Sequence, residues 1–145
     1  MKAYTIGYGG RTPDELIGLL QDRGIKSIVD VRLRPDRSSM GTYAKAKDPW
    51  RGIERLFSDA GIQYFSFVEL GNVFLDFEDW ERRYRLLMDQ SADVLLERLL
   101  QVSTPVCLLC AEKLANRCHR TIIAEHLARR GYEVEHIEPR DLFNL

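Results

Sequence analysis

The chain has 145 residues, 45% apolar and 30% charged, with a formal net charge of −1. These totals suit one globular domain over 1–145, and they exclude a globally basic nucleic-acid binder, so any anion site must come from local clustering. No apolar run reaches membrane-span length, the N-terminus lacks a signal-peptide core, and three cysteines is an odd number, which together predict a cytoplasmic protein with free thiols or thiol ligands rather than a disulfide framework.

Residues 3–8 read as a first strand, closed by Gly7, Gly9 and Gly10. Thr12-Pro13-Asp14-Glu15 is a helix start, with Thr as N-cap, Pro in the first turn and Glu completing a capping box. Leu16, Ile17, Leu19 and Leu20 supply the apolar face of this first helix, and Gly24 stops it. Residues 27–31 are a short apolar second strand. A long polar stretch follows over 32–49, and a loop of that length in a compact domain is usually functional or mobile. A short helix over 50–60 ends at Gly61, and residues 64–70 read as a third strand.

Helical spacing returns at Trp80, Tyr84, Leu87 and Met88 and continues, after a break at Ser91, through Leu95, Leu96, Leu99 and Leu100. Residues 105–109 form the fourth strand, about 118–130 the last helix, and 132–137 a final strand. Alternation of this kind predicts an α/β fold in a single domain: a mostly parallel open sheet of about five strands with helices on both faces. The carboxyl ends of all strands then share one edge. That edge gathers five polar clusters, at 7–10, 30–34, 69–72, 110–113 and His136, which argues for a single site.

The cysteines lie together, at 107, 110 and 118. Strand residues three apart face opposite sides, so Cys107 is expected in the core and apart from Cys110. Cys110 ends a strand, and Cys118 sits at a helix N-terminus, where the dipole favours a thiolate. Either is a candidate nucleophile, with Glu112, Asp30 or His119 handling protons. The plain alternative is a pair of inert buried thiols.

Cys110, Cys118 and His119 also make a candidate set of metal ligands, but the spacing is not a standard zinc knuckle, and adjacent helical residues diverge by about 100°. The favoured reading is anion binding. Helix starts normally attract acidic residues, yet Arg117, His119 and Arg120 crowd the last one, with Lys113 just before. This is unfavourable unless an anion, or an internal carboxylate such as Asp30, Glu69 or Glu112, neutralises them. Arg32, Lys113 and Arg120 would hold the anion's charge, and the Gly9-Gly10 turn before Arg11 would let backbone approach a ligand. The basic loop from Arg32 through Arg34 to Arg51 could instead embrace nucleic acid, with Tyr43 and Trp50 stacking on bases. No cofactor is identified.

Five motifs resemble the domain-of-unknown-function 488 family over nearly the whole chain. They are Thr5-Ile6-Gly7-Tyr8-Gly9-Gly10-Arg11-Thr12; Asp30-Val31-Arg32 with Arg34-Pro35; Glu69-Leu70-Gly71; Leu109-Cys110-Ala111-Glu112-Lys113 with Cys118-His119-Arg120; and His136-Ile137. Asn72 stands where a further glycine is common. The resemblance implies a small α/β fold with a polar site built from these motifs, Glu69 and His136 among them, and a nucleic-acid-linked role. There is a fainter similarity to rhodanese-like and cysteine-phosphatase designs, whose glycine-rich anion cradle is missing between Cys110 and the helix.

The expectation is therefore a binder of an anionic, phosphate-bearing small molecule or nucleic acid at the carboxyl edge of the sheet, with cysteine-assisted catalysis. A non-enzymatic binding module and a Cys/His metal protein are its rivals.

Overall fold

A computed structural model describes residues 1–139. Five strands, β1 (Lys2–Gly7), β2 (Ser27–Asp30), β3 (Gln63–Ser66), β4 (Val106–Cys110) and β5 (Glu133–Ile137), form one sheet in the order β3-β2-β4-β1-β5. Every neighbouring pair is parallel. The four helices are α1 (Pro13–Asp22), α2 (Gly52–Asp59), α3 (Trp80–Leu95) and α4 (Arg120–Arg129).

The period of two along β4 divides the core. Val106, Leu108 and Cys110 face a layer built with Tyr84 and Met88 of α3 and Ile122, Ile123 and Leu127 of α4. Cys107 and Leu109 face Leu16 and Leu20 of α1 and Ile53 and Phe57 of α2. Both faces are thus covered, as an all-parallel sheet requires, and the expected separation of Cys107 from Cys110 holds.

Local signals formed most elements where the sequence placed them. The Thr12 hydroxyl accepts from the Glu15 amide at 3.2 Å, capping α1. Ser91 leaves helical geometry inside α3 (φ −128°, ψ 16°), at the expected break. Several boundaries shift by a residue or more, and three differences stand out. The third strand ends at Ser66, and Val68–Leu70 is a 3-10 turn. The loop over 32–49 contains a 3-10 turn, Gly41–Tyr43, because Tyr43 drives its ring into the core. Helix α4 begins at Arg120, since Cys118 is still extended (φ −131°, ψ 143°).

The chain leaves β1 toward β2 and β3 on one side, then returns through β4 to β5 on the other. The carboxyl ends of β1, β4 and β2 therefore flank a change of direction, the place where open α/β sheets form crevices. No described helix is long and apolar enough to cross a membrane.

Candidate functional site

A cleft of about 440 Å³ opens at that edge, with Cys110, Cys118 and His119 at its base. Four of the five clusters expected there contribute to its lining: Tyr8 from the first, Arg32, Leu33 and Arg34 from the second, Asn72 from the third, and Cys110, Ala111 and Glu112 from the fourth. A larger groove of about 870 Å³ runs along α2 and β3 at the far edge of the sheet, but it contains no cysteine or histidine.

Glycines let these segments meet. A Cβ on Gly7 would lie 1.6 Å from the Glu112 carbonyl oxygen, and one on Gly9 would lie 2.6 Å from that of Ala111. The amides of Tyr8 and Gly9 donate to the carbonyls of Cys110 and Ala111 at 3.0 Å, stitching the β1 turn to the loop after β4. Gly71 packs equally closely on the Leu33 backbone, joining the two other loops that wall the cleft.

Arg120 organises the base. It is fully buried, and its guanidinium meets no carboxylate among the described residues. Nη1 donates to Cys110 Sγ at 2.8 Å and to the Glu112 carbonyl at 2.6 Å, and Nε donates to Thr5 Oγ1 at 3.2 Å. A buried, unpaired charge is destabilising by several kcal/mol. The groups that meet it instead are a sulfur, a hydroxyl and a backbone carbonyl.

Cys118 accepts from the Arg120 backbone amide at 3.5 Å and lies 3.6 Å from His119 Nδ1. Burial pushes its thiol up, but hydrogen bonds from Cys110 and His119 and the positive charges of His119 and Arg120 overcome that, holding Cys118 well below the ordinary thiol range. Burial pushes Cys110 well above that range, and the adjacent Cys118 pushes it further. The surroundings thus favour the proton on Cys110 over Cys118.

His119 is braced for this pairing. The Val31 carbonyl can only accept, so His119 Nε2, 2.8 Å away, must be the donor. Nδ1 is left facing Cys118. The Tyr84 ring packs edge-on against the imidazole, with ring centroids 5.1 Å apart, and its hydroxyl donates to the Leu70 carbonyl at 2.8 Å.

Other expected site residues stand elsewhere. Asp30 is fully buried, and its two oxygens accept from Arg32 Nε and Nη2 at 2.7–3.1 Å, from the Arg32 amide and from the Tyr64 hydroxyl. Its lone pairs are occupied, so the expected base is a brace for Arg32. Arg32 is correspondingly locked, with Nη1 donating to the Tyr8 hydroxyl at 3.1 Å. Gly9 and Gly10 approach the chain's own 111–113 loop rather than the cleft, and Lys113 lies over Gly10. Arg11 donates to the carbonyls of Gly7 and Ile137.

Glu69 pairs with Arg98, and His136 Nδ1 lies 2.6 Å from Thr5 Oγ1, behind Arg120. Neither lines the cleft. Tyr43, expected to stack on bases, is wholly buried, and its hydroxyl donates to the Arg11 carbonyl. Trp50 does stay exposed. Among the described residues no group of three or more His, Cys, Asp and Glu side chains is arranged to hold a metal ion.

The cleft also has lining that motif reading passed over. Arg37 and Arg117 reach it with no carboxylate partner among the described residues, whereas Arg34 pairs with Asp36 at 3.5 Å. Leu33, Val73 and Leu75 add exposed apolar walls. The exposed apolar run after Gly71 was the one sequence signal for that wall.

A family model described as domain of unknown function DUF488 matches residues 12–127. No curated protein and no solved structure matches the chain.

Proposed function

The chain belongs to the DUF488 family, and from that premise and the thiol geometry we propose that it binds an anionic, phosphate-bearing ligand in the carboxyl-edge cleft and acts on it through a nucleophilic Cys118. The observation that carries this reading is the buried Arg120 guanidinium, which meets the Cys110 sulfur and no carboxylate among the described residues. A protein that needed only a packed core would place a methionine or leucine there at less desolvation penalty. Keeping a thiolate at the base of an open cleft has a use when an electrophile enters.

Each nearby group has a part. His119 Nδ1, which faces Cys118, takes the thiol proton as Cys118 reacts. Cys110 stands beside it in the cleft. Arg37 and Arg117, without a carboxylate partner among the described residues, hold the ligand's anionic group, and Leu33, Val73 and Leu75 cover its apolar part. Asp30 and Tyr64 keep Arg32 in place as a wall of the cleft.

The test is alkylation of the purified full chain by iodoacetamide as a function of pH, with the modified cysteine identified by peptide mass. An ordinary thiol slows about tenfold for each pH unit below its pKa. Cys118 should be the modified residue, with a rate nearly level between pH 8 and pH 6, and inorganic phosphate should slow it. A rate that falls steeply through that interval, or modification confined to another cysteine, removes the nucleophile. Indifference to phosphate removes the anion pocket.

A further inference from the structure

Cys110 does more than hydrogen-bond. It lines the same cleft as Cys118 and belongs to the same core layer, and Arg120 donates to both, through Nη1 to one sulfur and through the backbone amide to the other. Cys107 points into the opposite layer and stays apart. We infer that Cys110 and Cys118 are a redox pair that closes to a disulfide when a hydroperoxide enters the cleft, switching the site off reversibly. This rests on the nucleophilic reading of Cys118 given above.

The chemistry balances. The Cys118 thiolate attacks the terminal oxygen of the hydroperoxide; a sulfur–oxygen bond forms, the oxygen–oxygen bond breaks, and the leaving alkoxide takes the proton held by His119. The product is a sulfenic acid on Cys118 and an alcohol, or water if the oxidant is hydrogen peroxide. Cys110 sulfur then attacks the sulfenic sulfur. The sulfur–sulfur bond forms, the sulfur–oxygen bond breaks, and hydroxide leaves with the Cys110 proton as water. Two thiols lose two electrons and the peroxide gains them.

An external dithiol reverses the reaction by exchange. The pairing also protects the site, because a resolving thiol in the same cleft intercepts the sulfenic acid before a second peroxide carries it to the irreversible sulfinic stage.

The full chain is treated with one equivalent of hydrogen peroxide near neutral pH, then mapped by non-reducing peptide mass spectrometry before and after dithiothreitol. The expected product has lost two hydrogens, contains a crosslink between the peptides holding Cys110 and Cys118, retains Cys107 as a free thiol, and returns fully to the reduced mass. In Cys110→Ser the sulfenic acid should persist on Cys118 and be trapped by dimedone.

Sulfenic or sulfinic acid accumulating on wild-type Cys118 without a crosslink overturns the inference, and so does a crosslink through Cys107. The wild-type map decides even if the variant does not fold. Level alkylation of Cys118 down to pH 6 in a protein that never crosslinks overturns the redox pair alone. A Cys110–Cys118 crosslink in a protein whose alkylation falls steeply with pH overturns the nucleophile reading instead.

Discussion

Arg120 is the residue on which the site's chemistry turns. Its neighbours in sequence, Arg117 and His119, made the helix start look short of an anion, and that much is visible in a string of letters. That a sulfur meets the charge follows only from burial, which removes water as a competitor and leaves Cys110 at the guanidinium. Cys118→Ser takes the negative charge away and leaves the cation uncompensated, so it should lower unfolding free energy by about 3 kcal/mol in chemical denaturation. Arg120→Met removes the cation and should return the alkylation profile toward that of an ordinary thiol, with the rate at pH 6 well below that at pH 8. An unchanged profile in that variant would take Arg120 out of the account. The Asp30–Arg32 pair was legible as a shared strand parity. Its role as a brace was not, because Tyr64 closes the last lone pair from a different strand.

At the scale of elements, two strand ends shape the site. The carboxyl end of β1 can reach the loop after β4 only because Gly7 has no side chain there. Gly7→Ala sets a methyl against backbone, which cannot rotate away, and should destabilise the fold by at least about 3 kcal/mol in the same assay. Strand β5 acts through one histidine. With His136 neutral, Nδ1 accepts from the Thr5 hydroxyl, leaving Thr5 Oγ1 to accept from Arg120. Burial and then the Arg120 charge hold His136 below the usual imidazole range. The unfolded chain therefore binds a proton near pH 6.5 that the folded chain refuses. The resulting stability is present above that pH and is lost as pH falls through the lower folded value. His136→Gln, which keeps an acceptor and does not titrate, should lose less stability than wild type between pH 7 and pH 5.

For the whole molecule, the buried acids set the alkaline limit. Burial raises the Cys107 thiol and the Tyr64 and Tyr84 phenols, and it pushes Tyr43 up to about 12. These groups keep their protons in the fold where the unfolded chain sheds them, from about pH 8.5 for the thiol and about pH 10 for the phenols. Their contribution is complete below those values and is lost as pH rises through the folded ones. Cys118 has the opposite sign: its depressed pKa gives stability that is complete above about pH 8.5 and is lost as pH falls through the folded value. Denaturation midpoints measured from pH 5 to pH 10.5 should therefore peak near pH 8.5 and fall on both sides. A midpoint still rising at pH 10 would contradict the burial of these four side chains.

The succession of strands and helices along the chain, the cap on α1, the break at Ser91 and the opposite facing of Cys107 and Cys110 were all decided by sequence alone. Each is a local periodicity or a local hydrogen bond, written in residues two to four apart. The late start of α4, the burial of Tyr43, the withdrawal of Glu69 and His136 from the cleft and the downward pull on the Cys118 thiol were decided only in three dimensions. Each depends on groups brought from other strands into a space without water, where charge and hydrogen bonding are set by whichever neighbours the packing supplies.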